Sequence, residues 1–224
     1  MTLLITAIAP VFIVIIYIYV KDKWEKESKR ILFYNFLFGA IGSILISTIL
    51  YVVYDLYFPE ANKFSVLDQF IKAFFVVALI EEFSKYVIVR YYAQPKKDFN
   101  EPFDGIMYAV MVSMGFAMVE NISYVFKGGL EVAFLRAITT IPAHATFGII
   151  MGYFMGISKF SKHKVTWNLI GLLLAILFHG TYDFFLFINF IPGISIGAFI
   201  SLIIGIILSK KAIKIHQENS NFKL

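Results

Sequence analysis

Cysteine is absent from all 224 residues, which removes disulfide frameworks, thiolate nucleophiles and thiolate metal ligands together. Charge is scarce as well. Asp, Glu, Lys and Arg make up 16% of the chain, below the ~25% of ordinary soluble domains. No internal repeat, low-complexity segment or Gly-rich nucleotide loop is present, and neither is a GxSxG elbow, an HExxH pair or a GxGD element. These gaps argue against nucleotide chemistry, a serine hydrolase, a zincin and an aspartyl intramembrane protease. The first apolar run has no basic leader and no small-residue cleavage site, so it reads as a retained helix.

What the chain does have is apolar length. Hydrophobic residues reach 59%, and they gather in continuous runs of ~18–25 residues, enough to cross a bilayer. Continuity, in place of alternation, excludes a β-barrel. The expected fold is all-α: one polytopic membrane domain spanning residues 1–224. About seven transmembrane helices fall at roughly 2–20, 31–54, 67–91, 104–126, 134–157, 166–188 and 194–210. Fifteen Lys and Arg residues lie in the odd-to-even loops and the C-terminal tail, and only Lys63, Lys127 and Arg136 lie on the alternate side. That bias places the N-terminus outside and the C-terminus in the cytosol of a bacterial-type plasma membrane. It also accounts for the net charge of +5 without nucleic acid. Gly148, Gly152 and Gly156 form a small-residue strip, expected to pack helices within the bundle.

Against this background some polar residues are out of place. Residues 78–87 read ALIEEFSKYV, setting Glu81, Glu82 and Lys85 inside an apolar run. Glu120 and Asn121 follow in GFAMVENISY, His144 in TTIPAHATFG, and His179 with Asp183 in ILFHGTYDFF. Each is costly in hydrocarbon, so each is expected to face the bundle interior. At ~1.5 Å per residue, Glu120 lies roughly 10 Å, His144 about 12 Å and the Glu81–Glu82 pair roughly 20 Å below the outer ends of their helices. One shared site in the outer half of the membrane is therefore geometrically open.

Helical spacing adds detail. Glu81 and Lys85, like His179 and Asp183, are four apart and share a face. Glu81 and Glu82 are ~100° apart and cannot play the same part. Either one is neutralised by Lys85 while the other does chemistry. Taken singly, these residues read as an ion pair, an interior histidine and interhelical hydrogen bonds. Together they exceed what a structural bundle needs, and mutually perturbing titratable groups mark functional sites. A glutamate, a histidine and a water suit hydrolysis, with histidine or amide donors for the oxyanion. A Zn2+ version would draw ligands from Glu82, Glu120, His144 and His179.

The ordered set EExxK (Glu81, Glu82, Lys85), FxxxEN (Phe116, Glu120, Asn121), a histidine after proline (His144) and HxxxD (His179, Asp183) resembles the PrsW family of intramembrane proteases. The likeness covers about residues 65–190. It implies an endopeptidase making the first, extracytoplasmic-side cut in a single-pass anti-sigma factor during a stress response. PrsW proteins are similar in turn to CAAX-processing and bacteriocin-immunity-type proteases, with motifs EExxxR, FxxxH and HxxxN. On that comparison Glu81 and Glu82 match the catalytic pair, His144 the middle histidine, and His179 with Asp183 the oxyanion pair. This chain carries Glu120 where that group has histidine, and Asp183 where it has asparagine. The expectation is thus a protease with Glu81 or Glu82 as base, His144 sharing the water, His179 and Asn121 at the oxyanion, and Lys85 supporting the glutamates. No cofactor is required by the sequence, Zn2+ being an option. The rival is a proton- or cation-coupled transporter, since Asp, Glu and His chains also relay protons, although no inverted repeat is seen. A membrane scaffold or sensor is the third.

Overall fold

The computed structural model describes residues 1–223, and its described residues are helical, without strands. Seven helical rods follow one another. They are α1 (Thr2–Lys21), α2 (Lys29–Tyr57), α3 (residues 66–93), α4 (Pro102–Ile138), α5 (Thr140–Phe160), α6 (Lys164–Phe187) and α7 (Ile196–Glu218). Five stretches are long and apolar enough to cross a membrane, with residues 102–160 counted as one. Rod α3 is not among them, because Lys72, Glu81, Glu82, Lys85 and Arg90 make it too charged to read as a span by composition.

The helix ends follow local chemistry. The Ser65 hydroxyl accepts from the Asp68 amide at the start of α3, 3.2 Å away. Asp104 accepts from the amides of Asn100 and Glu101 at 2.7 and 2.8 Å, closing a capping box ahead of α4. Rods α2 and α3 are not regular. Wide i→i+5 turns interrupt them at Gly39–Ser43, Lys72–Ala78 and Val89–Ala93. Each such turn holds back a residue and rotates everything beyond it.

Rod α4 is the axis of the molecule. From Phe103 to Ala117 every residue is buried, and α1, α2 and α5 pack around it. Rod α6 lies against α5 and the wide turn of α3, and α7 closes the bundle against α5 and α6. The crossing of α4 and α5 is close. A Cβ at Gly152 would stand 2.3 Å from the Gly105 carbonyl oxygen, and one at Gly105 would stand 2.4 Å from that of Gly152. The small-residue strip of α5 is thus spent on α4. At Gly129, φ of 73° and ψ of −161° break α4, a conformation open to glycine alone at little cost. The reversal returns residues 130–138 toward the body of α4.

At the end holding the C-termini of α1 and α7, Trp24 Nε1 donates to the Gln217 carbonyl at 2.9 Å, and Lys21, Lys23, Lys210 and Lys214 line one groove. This is the end that the basic loops assign to the cytosol. Beneath it lie four buried carboxylates that sequence analysis did not single out: Asp22, Glu27, Glu101 and Asp104. Tyr108 donates to Glu27 and Ser220 to Glu101. Burial lifts the Asp22 carboxyl to about 7; nearby Lys26 opposes the shift and Glu101 adds to it. Since the folded value is raised, the folded state holds the proton more tightly, and stability falls as pH rises from about 4 to 7. Asp22→Asn removes that dependence. Its thermal midpoint at pH 8 should exceed the wild type's by the equivalent of about 1 kcal/mol or more, with a flatter midpoint–pH curve between 4 and 7. Equal curves for the two proteins would refute the assignment.

Candidate active site

Four rods deliver the polar residues to one place. Rod α3 supplies Glu81, Glu82 and Lys85, α4 Glu120, α5 His144, and α6 His179 and Asp183. Lys85 is buried to 1% exposure, yet its ammonium is well supplied. Glu82 Oε1 lies 2.6 Å away, His144 Nδ1 3.3 Å and Glu81 Oε2 3.7 Å. The ring of Phe116 faces it with a centroid distance of 4.3 Å. Of the two pairings left open by spacing, the shorter is with Glu82 and not Glu81.

The two adjacent glutamates consequently part company. Glu82 is fully buried, with Oε1 shared between Lys85 and His179 Nδ1, the latter at 2.7 Å. Glu81 instead faces a cavity of about 700 Å³, whose lining also includes Tyr51, Glu120, His144, His179 and Asp183. The Tyr51 hydroxyl donates to Glu81 Oε1 at 3.1 Å, and Glu81 Oε2 has no hydrogen-bond partner. One residue's rotation along the helix, about 100°, has made one carboxylate a strut and left the other facing open space.

The histidines are held firmly. His179 has a carboxylate at each ring nitrogen, Glu82 on Nδ1 and Asp183 Oδ2 on Nε2 at 3.2 Å, and its ring stacks on Phe147 at 4.8 Å. His144 accepts from Lys85 at Nδ1, so its Nε2–H donates to Glu120 Oε2 at 3.0 Å. Ser113 on α4 anchors the backbone there by donating to the His144 carbonyl at 2.7 Å. The two imidazole centroids stand 5.4 Å apart.

Asn121 is placed differently. Its amide donates to the Ala7 carbonyl on α1 at 2.7 Å, and its Oδ1 accepts from Arg136 Nε at 2.8 Å. It therefore ties α1 to α4, and it is not part of the cavity lining. Arg136 also binds Glu120 Oε2 through Nη2 at 2.7 Å and covers the Tyr124 ring at 4.2 Å. Counted by sequence as an outer-loop cation, it belongs to the site because the chain reverses at Gly129. The adjacent glycines 128 and 129 were the available signal. Tyr51, one of 13 tyrosines, offered none.

Among the described residues, one group has metal-ligand geometry: Glu81, His144 and His179, whose ligand atoms all lie within 4.8 Å of one another. Glu81 stands in that trio; Glu82 and Glu120, named as metal candidates by sequence, do not. Two imidazoles and a carboxylate form the donor set of open catalytic zinc centres. The residues fit a divalent metal.

A family model described as PrsW family intramembrane metalloprotease matches residues 27–209. The curated protein named Protease PrsW from Oceanobacillus iheyensis is 38% identical over 187 residues, 83% of this chain and 83% of that protein. Proteins of the same name from Bacillus subtilis and Clostridioides difficile are each 35% identical, over 181 and 196 residues. These alignments cover 80% and 84% of this chain, and 80% of each relative. No solved structure matches.

Proposed function

The chain belongs to the PrsW family of intramembrane metalloproteases, and it is a multi-pass membrane protease. From that membership we propose that it hydrolyses a peptide bond of a single-pass membrane protein near the extracytoplasmic side. The substrate would be of the anti-sigma factor type, and the cut would open its regulated intramembrane proteolysis. The observation that carries this reading is the cavity onto which Glu81, His144 and His179 converge from three helices. Glu81, His144 and His179 would hold a divalent metal of the zinc type, which supplies Lewis-acid activation of water and the scissile carbonyl.

The chain's own residues do the remaining work. Glu82 holds Nδ1 of His179 and sets the ring's orientation, and Nε2, which meets Asp183 here, would turn to the metal. Lys85 offsets the glutamate pair and keeps His144 Nδ1 an acceptor. Glu120, on the cavity wall between His144 and Arg136, would take a proton from the attacking water and return it to the leaving amine. Tyr51 is the hydroxyl donor nearest Glu81 and is assigned the developing oxyanion, the part that sequence gave to His179 and Asn121. Tyr51→Phe should lower kcat by about 10²-fold with little change in KM, the cost of one oxyanion donor. An unchanged kcat would remove Tyr51 from the mechanism.

Two measurements test the reading as a whole. Purified protein should carry about one equivalent of divalent metal, by analogy with other open three-ligand centres. A chelator should stop cleavage of a co-expressed or reconstituted single-pass anti-sigma factor reporter, and added zinc should restore it. Metal-free protein that cleaves at full rate would refute the metal; no cleavage of any single-pass reporter would refute the protease. Proton-driven flux in liposomes without cleavage would favour the transporter.

A further inference from the structure

Every other cation at this site is matched by a carboxylate. Lys85 meets Glu82 at 2.6 Å and Arg136 meets Glu120 at 2.7 Å. Lys72 is different. It is part-buried within α3 and lines the active-site cavity. Among the described residues no carboxylate oxygen lies within 4.0 Å of its ammonium. Its neighbour is the ring of Phe187, with a centroid distance of 5.5 Å. A cation at membrane depth is costly and is ordinarily paired, so one left facing a cavity is waiting for an anion.

The position of Lys72 says where that anion comes from. A second groove, lined by Tyr54, Asp55, Pro59 and Glu60 beside the loop between α2 and α3, shares Tyr51, Lys72 and Val77 with the catalytic cavity. Lys72 thus stands where a chain entering from that loop would pass on its way to Glu81. Asp55 and Glu60 are exposed at the groove's edge, and Asp183 is engaged with His179, so none neutralises it. In a regular helix nine residues turn through ~900°, which would put Lys72 and Glu81 on opposite faces. The wide turn at Lys72–Ala78 withholds about one residue of that rotation, and both side chains line one cavity.

We propose that Lys72 is a specificity residue for the proteolytic reaction, binding an Asp or Glu side chain of the substrate on the extracytoplasmic side of the scissile bond. This rests on the protease reading above. Nine helical residues separate Lys72 from Glu81 by roughly 13 Å, and an extended peptide advances ~3.3 Å per residue. The acidic residue therefore lies about four positions outside the bond that is cut.

The test uses a single-pass membrane reporter whose cleavage site by the wild-type protease has been mapped by mass spectrometry. Positions two to six outside the bond are replaced one at a time by Glu, Gln or Lys, and cleavage rates are compared. The wild type should prefer Glu over Lys by about 10-fold at one position near the fourth, the worth of a modest ion pair in fold-change. Lys72→Met, which keeps the apolar stem, should abolish that preference, and Lys72→Glu should invert it. Because the readout is a ratio, reduced accumulation of either variant does not disturb it. A Glu/Lys ratio that stays the same in all three proteins overturns the proposal while leaving the protease intact. So does a loss of rate in Lys72→Met that is uniform across reporters and tracks the anionic lipid content of proteoliposomes, which would make Lys72 a headgroup anchor. If the wild type cuts no reporter and Glu81→Gln behaves identically, the protease reading itself fails, and this inference with it.

Discussion

Glu81→Gln should abolish cleavage of a single-pass reporter, by at least about 10³-fold, while the protein accumulates and melts like the wild type. The expected split between activity and stability follows from what Glu81 touches. One oxygen accepts from Tyr51 at 3.1 Å and the other has no hydrogen-bond partner. Its ion pair with Lys85 is long, 3.7 Å. A glutamine of the same shape keeps the Tyr51 contact and loses little. The reaction would lose the proposed metal ligand and the charge facing the cavity, and losses of this kind range over several powers of ten. Glu82→Gln is the counterpart. Glu82 holds Lys85 and His179 at 2.6 and 2.7 Å inside a fully buried space. Breaking one side of a buried pair costs about 3–5 kcal/mol, so this variant should lose yield and activity together. His144→Ala and His179→Ala should also be inactive, but each strands buried partners, which makes Glu81→Gln the cleaner measurement. Wild-type cleavage by Glu81→Gln would end the assignment of this cavity as the active site.

Gly152→Leu should fail to accumulate, or should melt far below the wild type. The magnitudes decide this. Replacing a helical glycine by a better helix former gains about 1 kcal/mol. At Gly152 the added Cβ would lie 2.3 Å from the Gly105 oxygen, 2.7 Å from Ile106 Cα and 2.8 Å from Gly105 C. All three are backbone atoms of α4 that cannot rotate aside. Overpacking in a close-packed interior costs typically 1–3 kcal/mol when side chains can adjust, and here they cannot, so a net loss of about 3 kcal/mol or more is expected. Gly42→Ala is the control, since its Cβ would approach the movable tip of Ile88 at 3.0 Å. Fluorescence-detected size exclusion of the detergent-solubilised variants compares the two. A Gly152→Leu protein with wild-type yield and melting would mean that α4 and α5 do not cross as closely as the structure has them.

Much of the site was visible in sequence because a membrane makes polar residues conspicuous. Seven of the eight residues expected at the site, Glu81, Glu82, Lys85, Glu120, His144, His179 and Asp183, form one linked set of ion pairs and hydrogen bonds. The eighth, Asn121, joins them only through Arg136. Hydrocarbon penalises an isolated polar group so strongly that interior placement and mutual pairing are nearly forced. Partner choice was not forced. Spacing left Lys85 open to either glutamate; Glu82 is the nearer, at 2.6 Å against 3.7 Å, and it also meets His179 of α6. Arg136 and Tyr51 were missed because the sequence signals for them are a glycine reversal and nothing at all.

The amino-acid sequence by itself therefore determined the solvent and the inventory. Continuous apolar length demands helices in a bilayer, since backbone groups there must be satisfied within each segment, and the few charged residues within those helices are the candidates for the chemistry. Tertiary structure alone decided the division of labour between Glu81 and Glu82, the recruitment of Arg136 and Tyr51, and the presence of Lys72 on the wall of the cavity. Those outcomes depend on helix phase and chain reversal. Phase shifts at wide turns such as Lys72–Ala78 are set by how neighbouring rods pack, and the reversal that Gly129 permits takes its direction from the same packing.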